Sequence, residues 1–119
     1  MIYRFYKEAA RLFGLPEAAL LYHIAYWVKV NRSERRNRHD GRYWGYESVR
    51  SMAEDRHDYL TERQIRRALK HLSDEGMLLT ANYNRTTYDR TTWYTLTDKA
   101  EAMLHDWEME EPYQLDGSD

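Results

Sequence analysis

A mostly helical α+β domain is the architecture this sequence predicts, on three observations. Apolar residues recur at helical spacing in several stretches between Ile2 and Trp107. Apart from a short aromatic run at Arg42–Tyr46, only Met77 to Thr97 has the Thr-, Trp- and Tyr-rich composition of strands. Helices followed by a hairpin also argue against an alternating α/β order. With 119 residues, 42% apolar and 32% charged, the chain suits one globular core and does not suit wholesale disorder.

Each element has its own signal. Ile2, Phe5, Tyr6, Ala9, Leu12 and Phe13 mark a first helix from Ile2 to Phe13, which Gly14 breaks. Pro16 fits the first turn of a second helix, expected from about Pro16 to Val30. Its apolar residues (Ala19, Leu20, Ile24, Trp27, Val28, widened by Leu21 and Tyr22) cover so much of the circumference that burial on more than one side is expected, in the core or in a dimer. Asn31 to Gly41 reads as a polar, basic loop ending in the turn dipeptide Asp40-Gly41, and Arg42 to Tyr46 as a short strand. Ser48 caps a short helix buried through Val49, Met52 and Ala53, and Asp55 to Tyr59 is a connecting turn.

The strongest local signal is Leu60-Thr61-Glu62-Arg63-Gln64-Ile65. Thr61 and Gln64 stand at the two positions of a capping box, with Leu60 and Ile65 as its hydrophobic staple. The helix is expected to reach Glu75, with Gly76 as the left-handed terminator. Met77–Tyr83 and Thr91–Thr97 form a hairpin around a polar tip, Asn84–Arg90, and a last helix starts near Asp98 and stops at Pro112. Pro16 to Thr97 thus has the order of a winged helix-turn-helix, with an extra amino-terminal helix, a carboxy-terminal helix and an acidic tail. The expected division is a domain at 1–107 and a tail at 108–119.

The formal net charge of −2 divides unevenly. Residues 98–119 hold eight acids against Lys99, a net of −7, while residues 1–97 carry 17 bases and 12 acids, a net of +5. A basic body with an acidic tail is compatible with a polyanionic partner. The tail reads either as a solvated end or as a competitor for the basic face. No apolar run approaches the ~20 residues of a membrane span. The first six residues lack a signal-peptide layout, and the chain has no cysteine. A cytoplasmic, non-membrane protein is therefore expected.

The chemistry points to duplex DNA. The major groove admits one α-helix, with bonding side chains outside and an apolar stripe inside. The helix after Thr61 meets both demands: Ile65, Ala68, Leu69 and Leu72 form the stripe, and Thr61, Arg63, Gln64, Arg66, Arg67 and Lys70 are the recognition residues. Arg63, Gln64 and Arg67 fall in the amino-terminal half, where arginine reads guanine and glutamine adenine; Arg66 and Lys70 suit phosphates. Glu62 is awkward there, suiting the helix dipole but repelling phosphate. Asn82, Asn84, Arg85, Thr86, Thr87 and Arg90 make the hairpin tip a second contact, for backbone or minor groove. The loop arginines Arg32, Arg35, Arg36 and Arg38 lie along phosphates or form a mobile basic loop, and residue types do not decide between these.

An enzyme is not expected. The histidines at 23, 39, 57, 71 and 105 show no metal-ligand spacing, and there is no P-loop, dinucleotide fingerprint or nucleophile elbow. Neither metal nor cofactor is expected, and His23 on the apolar second helix reads as a satisfied core or interface histidine.

Tyr22-His23-x-x-Tyr26-Trp27, Asp40-Gly41-Arg42-Tyr43-Trp44-x-Tyr46 and Tyr88-Asp89-Arg90-Thr91-x-Trp93-Tyr94-Thr95 flank Thr61-Glu62-Arg63-Gln64-Ile65-Arg66-Arg67. Over residues 12–97 this arrangement resembles the amino-terminal winged-helix domain of phage and plasmid replication initiation proteins of Gram-positive bacteria, the group that includes DnaD-type replisome organisers. The resemblance implies a winged helix, self-association as a homodimer or higher oligomer, and a role in opening or marking an origin. Such relatives usually continue into a second domain where this sequence turns acidic, so a small phage or prophage transcriptional regulator stays open. Two further readings stand beside duplex binding. One is a protein-interaction module using Tyr43, Trp44, Tyr46, Trp93 and Tyr94 on a replisome or host partner. The other is single-strand binding through Tyr83, Tyr88 and Trp93.

Overall fold

Gly14 divides the amino-terminal helices of the computed structural model, which describes residues 4–110. Gly14 has φ +115°, and a Cβ there would meet the Glu17 carboxylate at 2.7 Å, so only glycine joins α1 (Lys7–Phe13) to α2 (Leu15–Glu34) in this way. The first helix begins later than its periodicity predicts. Tyr6 stays extended and donates from its hydroxyl to Glu108, while its ring tilts against Tyr22 and Trp107. Bridging two other helices replaces the expected first turn; Ile2 lies outside the described residues.

α2 runs past its expected end at Val30 to Glu34 and closes at Arg35 in the left-handed region. Buried Asn31 donates from its side chain to the Trp44 carbonyl, a tertiary bond that makes an asparagine tolerable inside a helix. The expected loop is correspondingly shorter. It also holds a small hairpin, β1 (Arg38–His39) with β2 (Arg42–Tyr43), turning at Asp40-Gly41, both with positive φ. β3 (Gly45–Tyr46) leads to α3 (Val49–Glu54), where the Ser48 side chain accepts from the Ser51 N–H as its cap.

α4 (Glu62–Asp74) opens with both bonds of the capping box: Thr61 Oγ1 accepts from the Gln64 N–H, and Gln64 Oε1 accepts from the Thr61 N–H. It ends at Glu75, ahead of Gly76 at φ +75°. The hairpin strands are shorter than expected, β4 (Leu78–Ala81) and β5 (Trp93–Leu96). β5 is central in an antiparallel sheet of order β3-β5-β4, with Gly45 opposite Tyr94 and Thr80 on the other side of it. α5 (Asp98–Glu110) is capped by Thr97, not by Asp98: Thr97 Oγ1 accepts from the Ala100 N–H and donates to the Gly76 carbonyl. It continues past residue 107, so the expected boundary between domain and tail falls inside a helix. Pro112 lies outside the described residues.

One core joins these layers. Leu20, Leu21, Ile24 and Val28 of α2 meet Ile65, Leu69 and Leu72 of α4, with Met77, Leu96 and Leu104 closing the far side. The aliphatic breadth of α2 is consumed within the chain by α1, α4 and β5. Its open side instead presents Tyr22, Tyr26 and Lys29 to a groove of about 560 Å³ beside α5. Leu15 and Tyr26 of α2 remain exposed. No described helix is long and apolar enough to cross a membrane.

Candidate nucleic-acid interface

The inner stripe of α4 buries Ile65, Ala68, Leu69 and Leu72, which leaves Arg63, Gln64, Arg66, Arg67 and Lys70 exposed on the opposite side. Among the described residues Arg63 and Arg67 form no ion pair. Arg66 is held by Glu62 at 3.2 Å and Lys70 by Asp74 at 2.8 Å, both i,i+4 pairs open to solvent. Such exposed pairs contribute about 0.3–0.5 kcal/mol each and exchange readily for a phosphate. The pairing also accounts for Glu62: its carboxylate sits at the positive helix end and is covered by Arg66. The two roles expected of Gln64 compete, because the carbonyl oxygen needed to read adenine already accepts from the Thr61 N–H.

The turn entering α4 rests on a polar cluster that residue types did not disclose. His23 of α2 and His57 of the turn are both buried, with Nδ1 and Nε2 2.7 Å apart. The Trp27 indole N–H donates to His23 Nε2, which also lies 3.3 Å from Glu47, and His57 Nδ1 reaches the Tyr59 hydroxyl at 3.2 Å. Burial, reinforced by the neighbouring His23, pushes the His57 imidazole down to about 4. The Glu47 carboxyl is held below its ordinary range: burial opposes this, but the neighbouring His23 and the bond from the Ser51 hydroxyl outweigh it. His23 is thus the satisfied core histidine that its helix predicts. At the other end of α4, His71 meets Glu17 at 2.7 Å, and that bond raises its pKa.

The β4–β5 loop keeps Arg85, Thr86, Thr87 and Arg90 exposed, and among the described residues neither arginine is ion-paired. Asn84 is different. Its amide donates to the carbonyls of Asp89 and Thr91 at 2.8 Å each and accepts from the Trp93 indole at 2.8 Å. With both hydrogens committed, Asn84 holds the loop and has no donor left for a ligand. Its assignment as a contact residue is therefore revised to a positioning one. Asp89 accepts from the Thr91 N–H and from the Tyr46 hydroxyl, pinning the far side of the loop.

The basic loop splits. Arg32 lies on α2 between Glu101 of α5 and the ring of Tyr43, and Arg36 is paired with Glu34. Arg35 and Arg38 are exposed. The β1–β2 hairpin is docked on the sheet: His39 stacks on Tyr83 with centroids 4.2 Å apart, Tyr83 donates to Asp40, and the Trp44 indole donates to the His39 carbonyl. Arg38 therefore stands on a fixed hairpin instead of a mobile loop. Arg50 of α3, which no motif singled out, is exposed and paired with Glu54 at 3.0 Å.

The aromatic surface expected for a protein partner is mostly interior. Trp44 and Trp93 are 4% and 9% exposed, Tyr94 is buried, and only Tyr46 stands out. Among the described residues, no group of three or more histidines and carboxylates is arranged to hold a metal ion. No family model, curated protein or solved structure matches the chain.

Proposed function

We propose that this protein is a winged-helix module that binds duplex DNA, with α4 in the major groove and the β4–β5 loop as the wing. The observation that carries the reading is the outer face of α4. Arg63 and Arg67, exposed and without an ion pair among the described residues, stand on a rod whose inner face is locked into the core. Support for the winged form comes from the chain order α2, β3, α3, α4, β4, β5 and the sheet order β3-β5-β4. α4 packs against β4, so the proposed recognition helix and the sheet that carries the loop are neighbours. The role that follows from the sequence resemblance is origin recognition in phage or plasmid replication, with transcriptional regulation as the alternative.

Electrophoretic shifts across a salt series test the assignment. Arg67→Ala is expected to cost about 1–3 kcal/mol and relax base preference at one position. Arg85→Ala is expected to weaken all duplexes alike and lower the salt slope by about one. Indifference of duplex binding to both substitutions would remove α4 and its loop as the interface. Burial of Trp44, Trp93 and Tyr94 counts against the protein-interaction reading.

A further inference from the structure

Of the three aromatics that the sequence offers for stacking on bases, the fold withdraws two. Trp93 is buried in the sheet with its indole bonded to Asn84, and Tyr83 stacks on His39 while its hydroxyl is bound to Asp40. Tyr88 remains, 84% exposed at the tip of the β4–β5 loop. Among the described residues its ring meets no other ring and its hydroxyl no partner. One exposed tyrosine is ordinary on a protein surface. What sets Tyr88 apart is its mounting. Asn84 ties its own end of the loop to the Asp89 and Thr91 carbonyls, and Asp89, the next residue, is fixed by Tyr46 and the Thr91 N–H. Tyr88 thus rides on a short stalk between braced ends, flanked by the exposed cations Arg85 and Arg90. A flat ring with few rotatable bonds, held out beside two cations, is the combination that meets a nucleobase face while its neighbours hold the phosphates.

Resting on the duplex-binding reading, we propose that Tyr88 is a base-stacking contact, and that the ligand of this site is DNA carrying an unpaired base next to the duplex that α4 occupies. Insertion into an intact stack costs a few kcal/mol of unstacking per step. A base already unpaired presents its face without that cost. The protein accordingly prefers a duplex with a small central bubble over the same duplex fully paired, and the preference belongs to the tip and not to the helix.

The test compares affinity for the two DNAs by fluorescence anisotropy, with 2-aminopurine placed in the bubble to report stacking. Wild type should favour the bubble and quench the probe. Tyr88→Ala should lower the bubble-over-duplex ratio by about 5- to 150-fold, the span that aromatic stacking on one base supplies, and abolish quenching. Tyr88→Trp should keep both, whereas Arg67→Ala should weaken both DNAs together and leave the ratio. Equal affinity of wild type for the two DNAs, or a ratio untouched by Tyr88→Ala, overturns the stacking role and leaves duplex binding standing. Failure to bind either DNA at low salt overturns both.

Discussion

Arg63 and Arg67 on α4 and Arg85 and Arg90 on the β4–β5 loop are all exposed cations, yet what holds them differs. The helix starts with bonds between Thr61 and Gln64, three residues apart, and is anchored by a stripe at i, i+3, i+4 and i+7 spacing. The loop has neither periodicity nor a cap. Its shape depends on Asn84 reaching Asp89, Thr91 and Trp93, and on Tyr46 reaching across from β3 to Asp89. Local code positions the first surface and tertiary bonds the second, so the two should fail under different perturbations.

Acid should produce the largest effect, and on the helix side. His57 is held near 4 when folded, against an ordinary value of 6.5. Between those values the unfolded chain binds the extra proton, so stability falls as pH drops through this window and levels off below it. The loss amounts to about 3 kcal/mol by pH 4. Glu47, held low in the fold, adds in the same direction at the acid end. Urea midpoints measured from pH 7 to 4 check this; a flat profile between pH 6.5 and 5 would show that the cluster under the turn does not titrate as its burial requires.

Asn84→Ala should come next and strike the loop. The Trp93 indole and two carbonyls lose their partner, at a cost of about 2 kcal/mol. Amide exchange should accelerate over residues 84–92 while α4 keeps its protection. Uniform acceleration across both regions would break the contrast between them. The smallest effect belongs to Thr61→Ala, which removes one arm of the capping box and should cost about 1 kcal/mol, read as a lower thermal midpoint. Faster exchange confined to the first turn of α4, with the loop unaffected, would sharpen the separation.

How much was legible beforehand follows the same divide. The capping box, the Ser48 cap, the Gly76 terminator and the Asp40-Gly41 turn are contracts among residues a few positions apart, and each stands where spacing predicts it. The exposed arginines of α4 were legible for that reason: once the apolar stripe is known, the opposite face is known. The end of α2 was not, because the Asn31 side chain is satisfied by the Trp44 carbonyl thirteen residues on, a partner that no local spacing announces. Asn84 looked like a donor for a ligand, since nothing local says that its amide is consumed by the loop. Trp44, Trp93 and Tyr94 looked like surface because an aromatic strand has the same composition in a sheet core and on a sticky face.

Backbone preferences and periodicity acting over one or two turns thus set the helices, the β4–β5 hairpin and the cationic face of α4, but not β1 or the division of Arg42–Tyr46 between two sheets. Tertiary structure alone decided which polar and aromatic groups remain free. It spent Asn84, Tyr83 and Trp93 inside the fold, seated His57 against His23, fixed Arg38 on a docked hairpin and left Tyr88 outside. The physical reason is that a side chain's availability depends on which distant partners the packed chain brings within bonding distance, and no spacing rule along the chain encodes that.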